Sequence, residues 1–227
     1  MFSFHVLVLR ISILITFADL SSTGYKSVKV SYRRKCNCGR KSNKVRLQSF
    51  SEPGSDYVMG GYEVIPHYSY PWMVYILINN KSECGGSLIS RRHVLTAAHC
   101  LFDANGDQVK RNALRLLVGE HYKNKTKQFY KITKIKLYPG ANKLELLFYV
   151  PDLAILTLEQ SLNFNSKIIP LCLPSYGKNS YIGRHATVAG WGKFNMTSDH
   201  PDESLKEVKL KIVDKTNCKK LEFFDGK

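Results

Sequence analysis

The chain has 227 residues, 44% of them hydrophobic, with 13 Tyr and 11 Phe. That is enough apolar material for one large core or two small ones, and it excludes a disordered chain. Net charge is +16, and the six cysteines (Cys36, Cys38, Cys84, Cys100, Cys172 and Cys218) are too few for a disulfide-dense miniprotein and lack the double CxxC spacing of a zinc site.

At the N-terminus, Arg10 precedes a short apolar core, Ile11 to Ala18, and Leu20-Ser21-Ser22-Thr23-Gly24 supplies small residues for cleavage. Residues 1–24 therefore read as a secretory signal peptide. The core is too short to span a bilayer, and nothing later resembles a transmembrane helix, so no membrane association is expected after cleavage. Export implies an oxidising compartment, paired cysteines and a secreted, extracellular protein. Three sequons fit that location, at Asn80, Asn124 and Asn195.

Residues 25–57 are polar and basic and read as an arm tethered by Cys36 or Cys38. Within it, residues 26–46 carry nine Lys or Arg and no acid, whereas residues 47–227 carry 24 basic and 17 acidic residues, a net of +7. One reading is a solvated pro-segment. The other is adhesion to an anionic glycan, such as a sulfated one, through residues 26–46. No nucleic-acid-binding motif is visible, and nucleic acid is not an expected partner.

The domain is expected to begin near Val58-Met59-Gly60-Gly61 and to run over 58–227. Short strands separated by turns follow. Trp72 to Ile78 is a near-continuous apolar run, which predicts a strand buried on both faces. Gly86 to Ser90, Val94 to Ala97 and Leu114 to Val118 are predicted next. Phe129 to Leu137 is β-rich with interleaved lysines and is closed by Pro139-Gly140. Leu153 to Leu158 and Ala186 to Trp191 are further strands, the latter after a turn at Tyr181-Ile182-Gly183. In Lys206 to Val213, Val208, Leu210 and Ile212 face one way and Glu207, Lys209 and Lys211 the other. Thr216 to Phe224 is predicted as a helix. The pattern as a whole predicts an all-β barrel architecture.

The chemistry-bearing stretch is His93 to Cys100. An apolar run delivers His99, and an imidazole is the usual proton shuttle for a weak nucleophile. Such a base needs a carboxylate to fix its tautomer. Asp152 is the candidate, because it opens the apolar run Leu153 to Leu156 and a buried carboxylate requires a partner. On these residues alone, His99 also reads as a structural histidine and Asp152 as a strand cap.

Several stretches resemble the chymotrypsin/trypsin family of serine endopeptidases. They are Val58-Met59-Gly60-Gly61, Tyr70-Pro71-Trp72-Met73-Val74, Cys84-Gly85-Gly86-Ser87-Leu88-Ile89, Val94 to Cys100, Asp152 to Leu158, Pro170-Leu171-Cys172-Leu173-Pro174 and Ala189-Gly190-Trp191-Gly192. The basic arm with Cys36-Asn37-Cys38-Gly39 is similar to the pro-segments of arthropod secreted trypsin-like proteases. The resemblance implies two antiparallel β-barrels with a cleft between them, the first complete and the second only partly present. It implies His99 as general base, Asp152 as its orienting carboxylate and Val58 as the amino terminus created by activation. It also implies a Cys84–Cys100 bridge and a pairing of Cys172 with Cys36 or Cys38, leaving over Cys218 and one of Cys36 and Cys38. Protein or peptide is the implied substrate. No cofactor and no metal are implied: a family calcium loop needs clustered acids, and here Glu120 is followed by lysines.

The sequence departs from the pattern in two places. It has no Gly-Asp-Ser-Gly-Gly stretch, so the nucleophile serine is absent and the chain reads as truncated before it. Tyr57, rather than a basic residue, precedes Val58. Two functions remain in view. One is a secreted serine endopeptidase whose 227-residue form is inactive. The other is a noncatalytic homologue acting as a secreted binding or cofactor protein. Intact His99 and Asp152 favour the first, and the missing serine favours the second.

Overall fold

Alternating apolar residues, with tight turns between them, build nine strands in the computed structural model, which describes residues 38–40, 61–125, 128–141, 151–174, 181–192 and 203–214. The strands are β1 (Tyr62–Glu63), β2 (Met73–Ile78), β3 (Ser82–Leu88), β4 (His93–Thr96), β5 (Leu114–Val118), β6 (Ile132–Leu137), β7 (Ala154–Leu158), β8 (His185–Gly190) and β9 (Lys206–Lys211). Two short 3₁₀ turns, Ala98–Leu101 and Arg111–Ala113, are the only helical elements among the described residues. The predicted signal peptide, most of the arm, Val58, Cys36, Cys218, Asn195 and the predicted helix Thr216 to Phe224 lie outside the described residues.

Six strands form one antiparallel sheet in the order β5-β2-β3-β4-β7-β6. Tyr130, just ahead of β6, exchanges backbone hydrogen bonds of 2.8 and 3.1 Å with Leu116 of β5. The two ends of the sheet thus meet at this bridge, and the sheet curls into a barrel. The remaining strands form a second sheet, β1-β9-β8. The architecture is all-β, a six-stranded barrel beside a three-stranded sheet among the described residues, in keeping with the double barrel that the resemblance implies.

β2 explains how the sheets share a centre. Val74, Ile76 and Ile78 point into the six-stranded barrel, where they meet Leu88, Val94, Leu114, Leu116, Leu156 and Leu158. Met73 and Tyr75 point the other way, into a smaller cluster with Val64, Leu117, Trp191 and Leu205. The near-continuous apolar run is required because both faces are covered. Trp191 caps the second cluster edge-on against Tyr75, at 5.8 Å between ring centroids, and its Nε1–H donates to the carbonyl of His121 at 3.0 Å.

Several boundaries differ from the sequence expectation. β3 begins at Ser82, in a polar segment, because every residue from Ser82 to Ser87 has a partner on β2. Phe129 to Lys131 stays outside β6, and the β6–β7 register shifts between Ile132 and Lys134, which frees Tyr130 to close the barrel. In β9 and just after it, Val208, Leu210 and Ile212 are half-buried while Lys209 and Lys211 are exposed, matching the predicted alternation. Glu207 departs from it: it is half-buried and accepts a hydrogen bond from the Tyr70 hydroxyl.

Gly86 sits where β3 crosses the barrel core. A Cβ there would lie 2.9 Å from Val94 Cγ1, 3.1 Å from the Leu95 carbonyl oxygen and 3.2 Å from Ile76 Cδ1. Two of those neighbours are core side chains and the third is backbone, so none yields easily. Gly86→Ala is expected to destabilise the fold by about 1–3 kcal/mol through overpacking, read as a lower urea midpoint at unchanged slope. An unchanged midpoint would show that the strands can part at this crossing.

Candidate active site

β4 pairs antiparallel with β7, Thr96 opposite Ala154. Extending that register three residues beyond Thr96 brings the chain alongside the residues that precede β7. There the 3₁₀ turn Ala98–Leu101 lifts His99 off the sheet, while Ala98, Cys100 and Leu101 stay buried and anchor the turn. Asp152 arrives from the other side, two residues ahead of β7.

The two side chains meet closely. His99 Nδ1 lies 2.6 Å from Asp152 Oδ2, and the His99 backbone N–H donates to Asp152 Oδ1 at 2.8 Å. Both carboxylate oxygens are thus engaged by one residue. A carboxylate only accepts, so Nδ1 carries the proton and Nε2 presents its lone pair. Asp152 is 2% exposed at its side chain and His99 28%. Enclosure strengthens the pair, because a charge-assisted hydrogen bond gains as water is excluded. The partly exposed imidazole keeps access to a reactant, and the arrangement can withdraw a proton at Nε2 and hold the imidazolium that results.

Cys84 and Cys100 are joined by a disulfide with a Cα–Cα distance of 6.3 Å. The bridge ties β3 to the turn that carries His99. Cys100 Sγ lies 3.6 Å from His99 Nε2. Cys84, His99 and Cys100 are close enough to hold a metal ion in principle, but sulfurs locked in a disulfide offer no thiolate, so this group is not a metal site. Thr96 Oγ1 donates to the Gly85 carbonyl at 2.8 Å and fixes β4 against β3 just before the turn.

Of the two arm cysteines, Cys38 is the one bonded to Cys172. Gly39, at φ +63°, follows it, and its N–H donates to the Pro170 carbonyl at 2.8 Å. A Cβ at Gly39 would lie 3.0 Å from Cys172 Sγ, so a glycine suits the turn on both counts. Asn80 is exposed in the β2–β3 turn, and Asn124 is exposed beyond β5.

His99 and Asp152 are thus brought together, and no serine hydroxyl joins His99 Nε2 among the described residues. The backbone bond from His99 to Oδ1 was not foreseen, because it follows from the turn geometry rather than from residue type. Glu63, His67 and His121 also come together. Their one local signal was the four-residue spacing of Glu63 and His67.

Residues 58–225 match the family model described as Trypsin. The chain is 36% identical to chymase of Cavia porcellus over 169 residues, covering 71% of this chain and 63% of that protein. It is 32% identical to the proclotting enzyme of Tachypleus tridentatus over 177 residues, covering 71% of this chain and 45% of that protein. It is 32% identical to venom serine protease 34 of Apis mellifera over 196 residues, covering 82% of this chain and 43% of that protein. The chain spans between 43% and 63% of the length of these three relatives.

Proposed function

Because the chain belongs to the trypsin family of serine proteases, we propose that it is the base-and-carboxylate half of a secreted endopeptidase site, with His99 as general base and Asp152 as the group that orients it. The observation that carries this reading is the double engagement of Asp152 by His99, through Nδ1 and the backbone N–H. One contact would fix a tautomer. Two also fix where the ring points.

In the reaction, His99 Nε2 takes the proton of a serine hydroxyl as its oxygen attacks the scissile carbonyl. The same proton passes to the leaving amine, an acyl-enzyme remains, and water then repeats the sequence. Asp152 keeps the imidazolium oriented and stays ionised. The 227 residues contain no Gly-Asp-Ser-Gly-Gly stretch, and the oxyanion donors of such a site come from that same loop. We therefore infer that this 227-residue polypeptide forms no acyl-enzyme by itself. Incubated folded with a fluorophosphonate probe, it is expected to show no labelled serine. Labelling of any serine in that sample would overturn the inference.

A second reading, a noncatalytic homologue that acts by binding, draws support from the same missing stretch and from Tyr57 standing before Val58. The transcript separates the two. Continuation in frame into a Gly-Asp-Ser-Gly-Gly segment supports the enzyme, and a stop codon after Lys227 supports the binding protein. Either protein is proposed to be exported, with a basic arm kept on the domain by Cys38–Cys172 and offering residues 26–46 to an anionic glycan. The exposed positions of Asn80 and Asn124 are compatible with glycosylation. No helix among the described residues is long and apolar enough to cross a membrane.

A further inference from the structure

Glu63, His67 and His121 gather where β1 meets the turn that follows β5. Glu63 Oε1 is 3.0 Å from His121 Nε2 and 3.6 Å from His67 Nε2. One ligand atom from each residue lies within 4.8 Å of the others. In a tetrahedral zinc shell with bonds near 2.0–2.2 Å, neighbouring ligand atoms sit roughly 3.3–3.6 Å apart. The two contacts to Glu63 are close to that spacing before any ion is bound.

His121 is fully enclosed, at 0% side-chain exposure, and its Nδ1 has no hydrogen-bond partner. A buried imidazole with only one nitrogen satisfied is costly as a purely structural group. A cation at Nε2 does not satisfy Nδ1; what favours the cation is the convergence of the three ligand atoms. His67 stacks on His121, with ring centroids 4.1 Å apart and planes at 19°. Parallel rings do not aim their lone pairs at one point, so one of them has to tilt. His67 is 45% exposed at its side chain and has the freedom to do so, whereas His121 is held by its surroundings. The Tyr122 hydroxyl donates to the same Glu63 Oε1 at 3.3 Å and helps to hold it in place.

The donor set selects the ion. Calcium and magnesium want six or more oxygens, several of them carboxylate. Here there is one carboxylate beside two imidazoles, with Lys125 over the Tyr122 ring and Lys206 opposite Glu63 across the β1–β9 pair. Two nitrogens and one oxygen suit a borderline ion such as zinc.

We propose that Glu63, His67 and His121 form a binding site for a zinc-like divalent cation, with water at the fourth position, and that the ion staples β1 and the segment after it to the turn beyond β5. The site stands apart from His99 and does not depend on the peptidase reading. Its occupancy fastens the first strand of the smaller sheet to the six-stranded barrel.

The test is a calorimetric titration of the full 227-residue chain with zinc alone. One equivalent is expected to bind, and His99→Ala retains it. His67→Ala and Glu63→Gln are each expected to weaken it roughly tenfold or more. Zinc at about a hundred times its dissociation constant should raise the melting temperature of the parent by about 5–10 °C, and that of His67→Ala by much less. His67 is the decisive position, because its exposed ring can be removed without opening a core cavity. Absence of zinc binding by the parent overturns the proposal, and so does equal binding by His67→Ala.

Discussion

Asp152→Asn, made in a form of the protein that carries a nucleophile serine, is expected to lower kcat by about four orders of magnitude with the fold intact. The argument is one of proton placement. Oδ1 of an asparagine can still accept the His99 backbone N–H, as Asp152 Oδ1 does at 2.8 Å. The amide nitrogen would then face Nδ1 in place of Oδ2, at the position now 2.6 Å away. An amide N–H donates, so Nδ1 becomes the acceptor and the proton moves to Nε2. The imidazole is then unable to take a proton from the serine, and no anion stands behind it to hold the imidazolium. The stability change is smaller, about 1–3 kcal/mol for a charge-assisted hydrogen bond replaced by a neutral one. Steady-state kinetics with a peptide substrate, together with a denaturant curve, measure the two effects separately. A kcat within tenfold of the parent would remove Asp152 from its orienting role.

The second large effect concerns the bridge between Cys38 and Cys172, whose cysteines stand 134 residues apart in sequence. In the chain-entropy model a loop of that length restricts the unfolded state by about 5 kcal/mol, against about 3 kcal/mol for the 16-residue separation of Cys84 and Cys100. The double variant Cys38→Ser/Cys172→Ser is therefore expected to lose more stability than Cys84→Ser/Cys100→Ser, by about 2 kcal/mol. Equilibrium unfolding of both variants in guanidinium provides the comparison. The opposite ranking would place the main contribution in the packing around Cys100, which is buried, rather than in the closure of the long loop.

Much of the barrel was legible because its strands obey local rules. Leu114–Val118 was delimited by its apolar run, and the alternation read over Lys206 to Val213 found β9, which ends two residues earlier, at Lys211. What escaped depends on partners. The polar start of β3 is a strand only because Ile78 and Leu77 of β2 have Ser82 and Glu83 opposite them. β1, two residues long, exists because Tyr62 and Glu63 pair with Glu207 and Lys206 from the far end of the domain. At the site, the apolar approach to His99 and the run after Asp152 each marked a residue, but their meeting rests on the β4–β7 register. The Glu63, His67 and His121 cluster left almost no trace, because His121 reaches it through tertiary folding and nothing local distinguishes it from a turn histidine.

β2 has little latitude to vary. A change at Val74 or Ile76 alters the filling of the six-stranded barrel, and a change at Met73 or Tyr75 alters the seam with the second sheet. In β6, by contrast, Thr133, Lys134 and Lys136 face solvent and can be exchanged with little effect. Substitutions that accumulate in this chain should therefore collect along β6 and spare β2, and a viable change in β2 calls for a compensating one in whichever cluster its side chain enters.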